Sequence, residues 1–316
     1  MMSEPIVSVL IPCYNAERWV AETLDSVLAQ TWPNLDIVVV NDGSTDGSRA
    51  VLAHYESRGV RVVDQQNRGQ TAALNTALAH ARGDFIQYLD ADDLLSPDKI
   101  RLQMERLQVE PDAIALGEWA RFQHALDEAR FEPAESWQDH EPVDWLVRNW
   151  HEGGGMMYPA LWLMPRALVS QIGPWDESLN LLNDTDYFTR AVLAARRVLF
   201  SAGARTYYRS GLTGSLSGLK SERGWRSQER VLTLCETYLL QRETSDRTRR
   251  VCSLLWQRFA QASYPYVPRL ANNAIQRAHH LHSVRLKPDG GRVFKLLAVL
   301  IGWRFARRLQ TWSGRP

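Results

Sequence analysis

The sequence predicts an α/β chain with a mostly parallel sheet covered by helices on both faces, followed by a helical C-terminal extension. Three observations predict it. Strand and helix signals alternate through the first hundred residues, the strand runs are continuously apolar, and polar loops fall at the strands' carboxyl ends. A chain of 316 residues, 45% hydrophobic and 23% charged, is globular, with length for one large domain and an appendage.

Residues 6–11 are a β-branched run ended by Pro12, 16–30 carry helical apolar spacing, and 35–40 form a second buried strand, giving a βαβ unit. Asp42-Gly43-Ser44-Thr45-Asp46-Gly47 is a turn leading into a helix over 48–56. A strand over 60–64, a helix over 71–81 and a strand over 84–89 follow. Ser96 is expected to cap the next helix, with Pro97 at its first position. Further strands are expected at 113–122, 160–165 and 206–209, with an acidic, loop-like segment over 127–144. Gly153-Gly154-Gly155 is a flexible hinge or a close-approach loop. A helix over 184–195 begins at Asn183 or Asp184.

The Gly/Ser-rich stretch 210–218 is a composition shift that divides the chain into a domain of 1–212 and a helical extension of 213–316. The extension carries helical patterns over 223–241, 245–263 and 270–282. Its end, 293–303, is apolar and flanked by Arg292, Lys295, Arg304, Arg307 and Arg308, and is shorter than the roughly 20 residues that span a bilayer. Two readings stand: a basic helix lying in a membrane interface with Trp303 and Trp312 at the headgroups, or a helix packed on the main domain.

Ligands of an open parallel sheet bind at the strands' carboxyl ends. The loops there begin at Pro12, Asn41, Asn67 and Asp90, so one mouth gathers four polar loops. Neither the dinucleotide G-x-G-x-x-G turn nor the phosphate-cradling G-x-x-x-x-G-K-[ST] is present, which disfavours a dehydrogenase or a P-loop NTPase. Asp90-Ala91-Asp92-Asp93 closes the strand over 84–89. Crowded carboxylates at a strand end need a cation, and hard divalent ions such as Mg²⁺ or Mn²⁺ take oxygen ligands and complete their shells with water and diphosphate.

Together, Val7-Ser8-Val9-Leu10-Ile11-Pro12-Cys13-Tyr14-Asn15, Val40-Asn41-Asp42-Gly43-Ser44-Thr45-Asp46, Asn67-Arg68-Gly69 and Asp90-Ala91-Asp92-Asp93 resemble the family 2 glycosyltransferases. Ile172-Gly173-Pro174-Trp175-Asp176-Glu177 and Asn183-Asp184-Thr185-Asp186 extend the resemblance, which covers about 6–209 and not the helical tail. It implies the GT-A fold and inverting transfer of a sugar from a nucleoside diphosphate donor. It implies that Asp42 accepts a hydrogen bond from uracil, that Pro12, Tyr14 and Asn15 border base and ribose, and that Arg68 contacts the nucleotide. Asp90 would meet the ribose or a metal-bound water, Asp92 would bind the metal directly, and Asp93 is their neighbour. Asp184 matches the base that deprotonates the acceptor; the alternative is that Asp184 or Asp186 only caps its helix.

Two departures from the family stand out. Asn183 replaces the usual Glu before the base, and no His stands between His151 and His279, where many relatives carry one shortly after an Arg. The ion would then rest on Asp92, diphosphate oxygens and water. Arg209 is assigned to the diphosphate, and 210–218 is either a lid over bound donor or a plain exposed loop. Trp145, Trp150, Tyr158 and Trp162 are expected on the acceptor side, with core packing as the other reading.

The expected function is therefore a metal-dependent inverting glycosyltransferase using a donor that is a UDP-sugar, with a saccharide or lipid-linked acceptor in cell-surface polysaccharide synthesis. The alternative is a non-catalytic nucleotide-sugar-binding scaffold of the same fold. Net charge is +1, so nothing demands nucleic acid; the basic residues concentrate beyond Arg277, where Asp289 is the only acid. Three widely spaced cysteines, Cys13, Cys235 and Cys252, and a start without a basic and apolar leader point to the cytoplasm, with the tail on the inner face of the membrane.

Overall fold

An apolar run with no polar face belongs in the middle of a sheet, and Val7–Cys13 (β1) is buried at every position. The computed structural model describes residues 4–212, 221–287 and 291–312. The expected lid lies mostly outside these residues. Helix α1 (Val20–Leu28) buries Val20, Thr23, Leu24 and Val27, one face at helical spacing. It begins later than the expected 16, because Asn15 turns the chain at φ +49° and Trp19 N bonds back to Ala16 O at 2.9 Å.

Next come β2 (Leu35–Asp42), α2 (Ser48–Glu56), β3 (Arg61–Gln65), α3 (Gln70–His80) and β4 (Phe85–Tyr88). β1 pairs in parallel with β2 and β4, and β2 in parallel with β3. The registers set Cys13 beside Asn41 and Asn41 beside Asp64, so three loops leave the sheet at one edge. β4 adds the fourth from the other side of β1, with Leu10 beside Tyr88. The strand order reverses between β1 and β4, which opens a crevice at their carboxyl ends.

The elements that follow as far as residue 209 are β5 (Leu94–Leu95), α4 (Lys99–Leu107), β6 (Ile114–Phe122), α5 (Pro142–Asn149), β7 (Trp162–Pro165), α6 (Arg166–Ile172), α7 (Asn183–Ala194) and β8 (Val198–Arg209). Among the described residues the eight strands form one sheet, ordered β3-β2-β1-β4-β7-β6-β8-β5. β8 is longer than the expected 206–209 because Gly203, at φ +80°, interrupts the apolar run where the β6–β8 register shifts. Ser96 is not the cap of α4: its Oγ accepts from Arg205 N at 3.1 Å and its N donates to Arg205 O, tying the segment to β8. Lys99, in the first turn of α4, is fully buried and donates to Gln87 Oε1; burial alone pushes its pKa well down.

Contacts gather the chain into two compact units, 1–145 with 157–215 and 146–156 with 216–316. The stretch 146–156 comes from the middle of the domain expected at 1–212. Its triple glycine is a close-approach loop: a Cβ on Gly153 would lie 2.9 Å from Leu254 O. The second unit holds α8 (Glu222–Arg242), α9 (Asp246–Ser263), α10 (Pro268–Leu281), α11 (Arg292–Ile301) and α12 (Trp303–Trp312). Ser245 and Thr248 form a capping box at the start of α9, as the 245–263 pattern implies. The apolar tail expected over 293–303 is broken at Gly302, whose φ is +81°. All three cysteines are buried and outside any disulfide, and burial pushes the Cys13 thiol up to about 11.

Candidate active site

The donor side is organised by Asp42. Its buried carboxylate accepts from Gln65 Nε2 at 2.7 Å, Arg68 N at 2.9 Å and Gly69 N at 2.8 Å, which folds the 67–69 loop onto the end of β2. A carboxylate offers about four acceptor positions, and these three bonds fill all but one of them. Gly43 makes the approach possible: it holds φ +69°, and a Cβ there would lie 2.7 Å from Asn67 N. Asn15 Oδ1 accepts from Thr45 N at 2.8 Å, so the β1 loop braces the β2 loop. Pro12 is buried within β1, while the Tyr14 side chain is 51% exposed at the same edge.

The acidic loop follows β4. Asp90 and Asp92 are half-buried and Asp93 is buried. Burial, then the charges of Asp92 and Asp184, push Asp90 up to about 7. Burial also raises Asp92, with Arg209 opposing it, and burial with Asp92 and Asp90 holds Asp93 well above the usual carboxylate range. Asp93 Oδ1 accepts from Arg209 N at 2.9 Å, and its buried Oδ2 has no hydrogen-bond partner. Uncompensated carboxylates and an all-oxygen donor set fit a hard divalent cation. Among the described residues no three His, Cys, Asp or Glu side chains form a cage, so such an ion would draw its remaining ligands from diphosphate and water.

Asp184 opens α7 opposite this loop. It is half-buried, burial pushes it up to about 6, and its Oδ1 accepts from Thr185 N at 2.7 Å. Leu182, just before the helix, is held at φ +56°, a strained conformation for a leucine and of the kind that collects at functional turns. Asp186, the other acid in the first turn of α7, is buried and paired with Arg190 at 3.0 Å, and Arg190 also donates to Ile172 O. That acid is committed to packing. The Trp175 backbone is bolted to Asn75 by two hydrogen bonds, and its ring stacks on Tyr187 at 4.0 Å.

Arg209 does not face a diphosphate. Its guanidinium is 1% exposed, donates to Glu22 Oε2 at 2.5 Å and to Asp92 O at 2.9 Å, and lies 4.4 Å from the Trp19 and Phe122 rings. It is a strut for the acidic loop. Arg68 does reach the mouth, where it pairs with Glu177 at 3.0 Å on an exposed surface. Trp145, Trp150, Tyr158 and Trp162 are all buried, so core packing holds for them and the acceptor-side expectation does not.

Sequence reasoning missed Gln70, Glu22 and Tyr208. Gln70 Nε2 donates to Asp90 Oδ1 at 2.8 Å and its Oε1 accepts from Asn183 Nδ2 at 3.4 Å. Tyr208 is half-buried, and burial with the charges of Asp93, Asp90 and Asp92 raises its pKa, so it keeps its proton beside the acids. Alternation along β8 was the available signal, since neighbouring Tyr207 packs instead on Phe122 and Phe131.

The sequence profile described as Glycosyl transferase family 2 matches residues 8–173, more than half of the chain. The chain belongs to glycosyl transferase family 2. The match takes in Asp42, Arg68, Asp90 and Asp92, while Asp184 and Arg209 lie beyond it. TuaG of Bacillus subtilis, a glycosyltransferase assigned to teichuronic acid biosynthesis, is 40% identical over 105 residues, 32% of this chain and 42% of TuaG. The chain spans less than two thirds of the length of such curated relatives. Staphylococcus aureus TarS 1–349, solved in complex with UDP-GlcNAc, superposes with a TM-score of 0.72 at 18% identity, over 98% of this chain and 92% of that one. The mannosyltransferase PcManGT of Pyrobaculum calidifontis, solved with GDP-Man and Mn²⁺, gives 0.55 at 18% identity, over 99% and 84%. The likeness is one of fold, and the mostly parallel sheet with its flanking helices is the GT-A fold that family membership led us to expect.

Proposed function

We propose that this family 2 member transfers a sugar from a UDP-linked donor, with inversion, to a saccharide or lipid-linked acceptor in cell-surface polysaccharide synthesis. The observation that carries the proposal is the Gln70 bridge, which bonds Asp90 of the acidic loop and Asn183 beside Asp184 and so gathers two carboxylates from separate elements at one mouth. The acceptor oxygen attacks the anomeric carbon as the bond to the diphosphate oxygen breaks, and the electron pair leaves on the diphosphate. Asp184 takes the acceptor proton, and its raised pKa of about 6 makes it a stronger base than a free carboxylate yet ionised at neutral pH. Asp42 presents its open acceptor position to the base, and Arg68 exchanges Glu177 for the donor.

Asp92 and Asp90 would hold a Mn²⁺ or Mg²⁺ ion, which supplies positive charge against the leaving diphosphate. TarS with UDP-GlcNAc and PcManGT with GDP-Man and Mn²⁺ support a nucleotide sugar and a cation; TuaG supports a polysaccharide product. The three cysteines, none of them in a disulfide, support a cytoplasmic setting. The deciding experiment is a panel of nucleotide sugars with Mn²⁺ or Mg²⁺, read by nucleotide release and repeated with Asp92→Ala. Release that requires Asp92 supports the reading. Tight donor binding without any release across donors and acceptors transfers the chain to the scaffold alternative.

A further inference from the structure

We infer that α11 and α12 are an interfacial anchor that docks this chain on a bilayer containing anionic lipid. The inference stands apart from the sugar-transfer reading and does not depend on it. Val293, Leu296, Val299 and Leu300 are 62–83% exposed, and Val293, Leu296 and Leu300 recur at helical spacing on one face of α11. In α12, Phe305 and Leu309 are exposed four positions apart. Large aliphatic side chains gathered in water on consecutive helices mark an interaction surface.

Charge identifies what covers that surface. Residues 292–312 hold five Lys or Arg and no Asp or Glu. Arg304 and Arg308 each precede an exposed apolar residue, so a cationic stripe runs beside the apolar one along α12. Their guanidiniums lie 5.7 and 5.5 Å from the Tyr264 ring, and with Trp303 and Phe305 they line a groove of about 310 Å³. A surface that mixes exposed aliphatic, aromatic and cationic side chains matches acyl chains under phosphate headgroups. A second copy of this chain fits worse, because a two-fold contact would set like charges against each other. Among the described residues no helix is long and apolar enough to cross a membrane, so this anchor lies on the bilayer rather than through it.

The test is flotation of the full chain with phosphatidylcholine vesicles, with and without phosphatidylglycerol. Binding is expected to rise on the order of tenfold with the anionic lipid and to fall as salt is raised. Leu296→Asp with Leu300→Asp should abolish binding to both vesicles. Arg304→Glu with Arg308→Glu should remove only the preference for anionic lipid. Both double variants change exposed positions, and circular dichroism confirms that they stay folded. No flotation with anionic vesicles overturns the inference, as does unchanged binding by either folded double variant. A concentration-dependent dimer that Leu296→Asp with Leu300→Asp abolishes, with vesicles unbound, also overturns it and assigns the face to a second copy.

Discussion

Gln70 donates to Asp90 at 2.8 Å while its carbonyl accepts from Asn183 at 3.4 Å, so one amide joins the acidic loop to the helix that carries Asp184. This accounts for the departure at 183. A glutamate there has no hydrogen to give Gln70 Oε1, whereas an asparagine does. The substitution is paired with Gln70, while Asp186 of the same motif is held by Arg190.

Asp184→Asn is expected to lower turnover about 10²- to 10⁴-fold while donor affinity, measured by calorimetry, is retained. In the native chain kcat/KM should fall about tenfold per pH unit below about 6, because the proposed base Asp184 is protonated there. Asp186→Asn should act differently. It strands Arg190 and should lower the melting temperature, with turnover in the surviving folded protein kept. Equal turnover by native enzyme and Asp184→Asn would remove Asp184 from the mechanism.

Asp90→Asn should stabilise the ligand-free protein. A carboxyl raised to about 7 in the folded state from an ordinary value near 3.8 favours folding below pH 3.8 and loses that contribution as pH rises through 7. The gain in melting temperature from Asp90→Asn is therefore larger at pH 8 than at pH 5. The same substitution should weaken stabilisation of the protein by Mn²⁺ with UDP, and chelator should reverse that stabilisation in the native chain.

Arg209→Met should keep the fold and reduce cation-dependent donor binding by about 10- to 100-fold, since it removes the guanidinium's bond to Asp92 O while the backbone bond to Asp93 stays. Glu22→Gln should give a smaller loss in the same direction, because the ring contacts of Arg209 remain. A collapse in melting temperature with unchanged donor affinity in the folded fraction would make Arg209 purely structural.

Lys99→Met should raise the melting temperature. The folded state disfavours the ammonium, so unfolding below pH 10.5 takes up a proton and Lys99 subtracts stability at neutral pH. The gain should shrink as pH rises toward 10. A melting temperature that drops at pH 7 would mean that the bond to Gln87 outweighs the burial of the amine.

The parallel half of the sheet was legible because β1, the middle of β2 and β4 are buried, mostly apolar runs, and the half-buried β3 follows at the edge. The acids at the mouth stood out for the opposite reason, since no cap or ion pair among the described residues takes up the Asp90 and Asp92 carboxylates. Arg209 was not, because its partner Glu22 lies 187 residues away and its guanidinium is consumed before it reaches the mouth. Ser96 misled because a cap-like Ser-Pro sequence carries no information about β8, which takes the hydroxyl instead. β8 itself was hidden by a glycine bulge, and α5 by an acidic stretch that resembles a loop. Tertiary partners decided each of these positions.

The buried thiols give the molecule its own reporters of opening. Cys13 belongs to the first compact unit, Cys235 and Cys252 to the second, and none is open to reagents in the folded chain. Alkylation followed by peptide mass spectrometry therefore reads which unit opens first under heat or denaturant, without any engineered label.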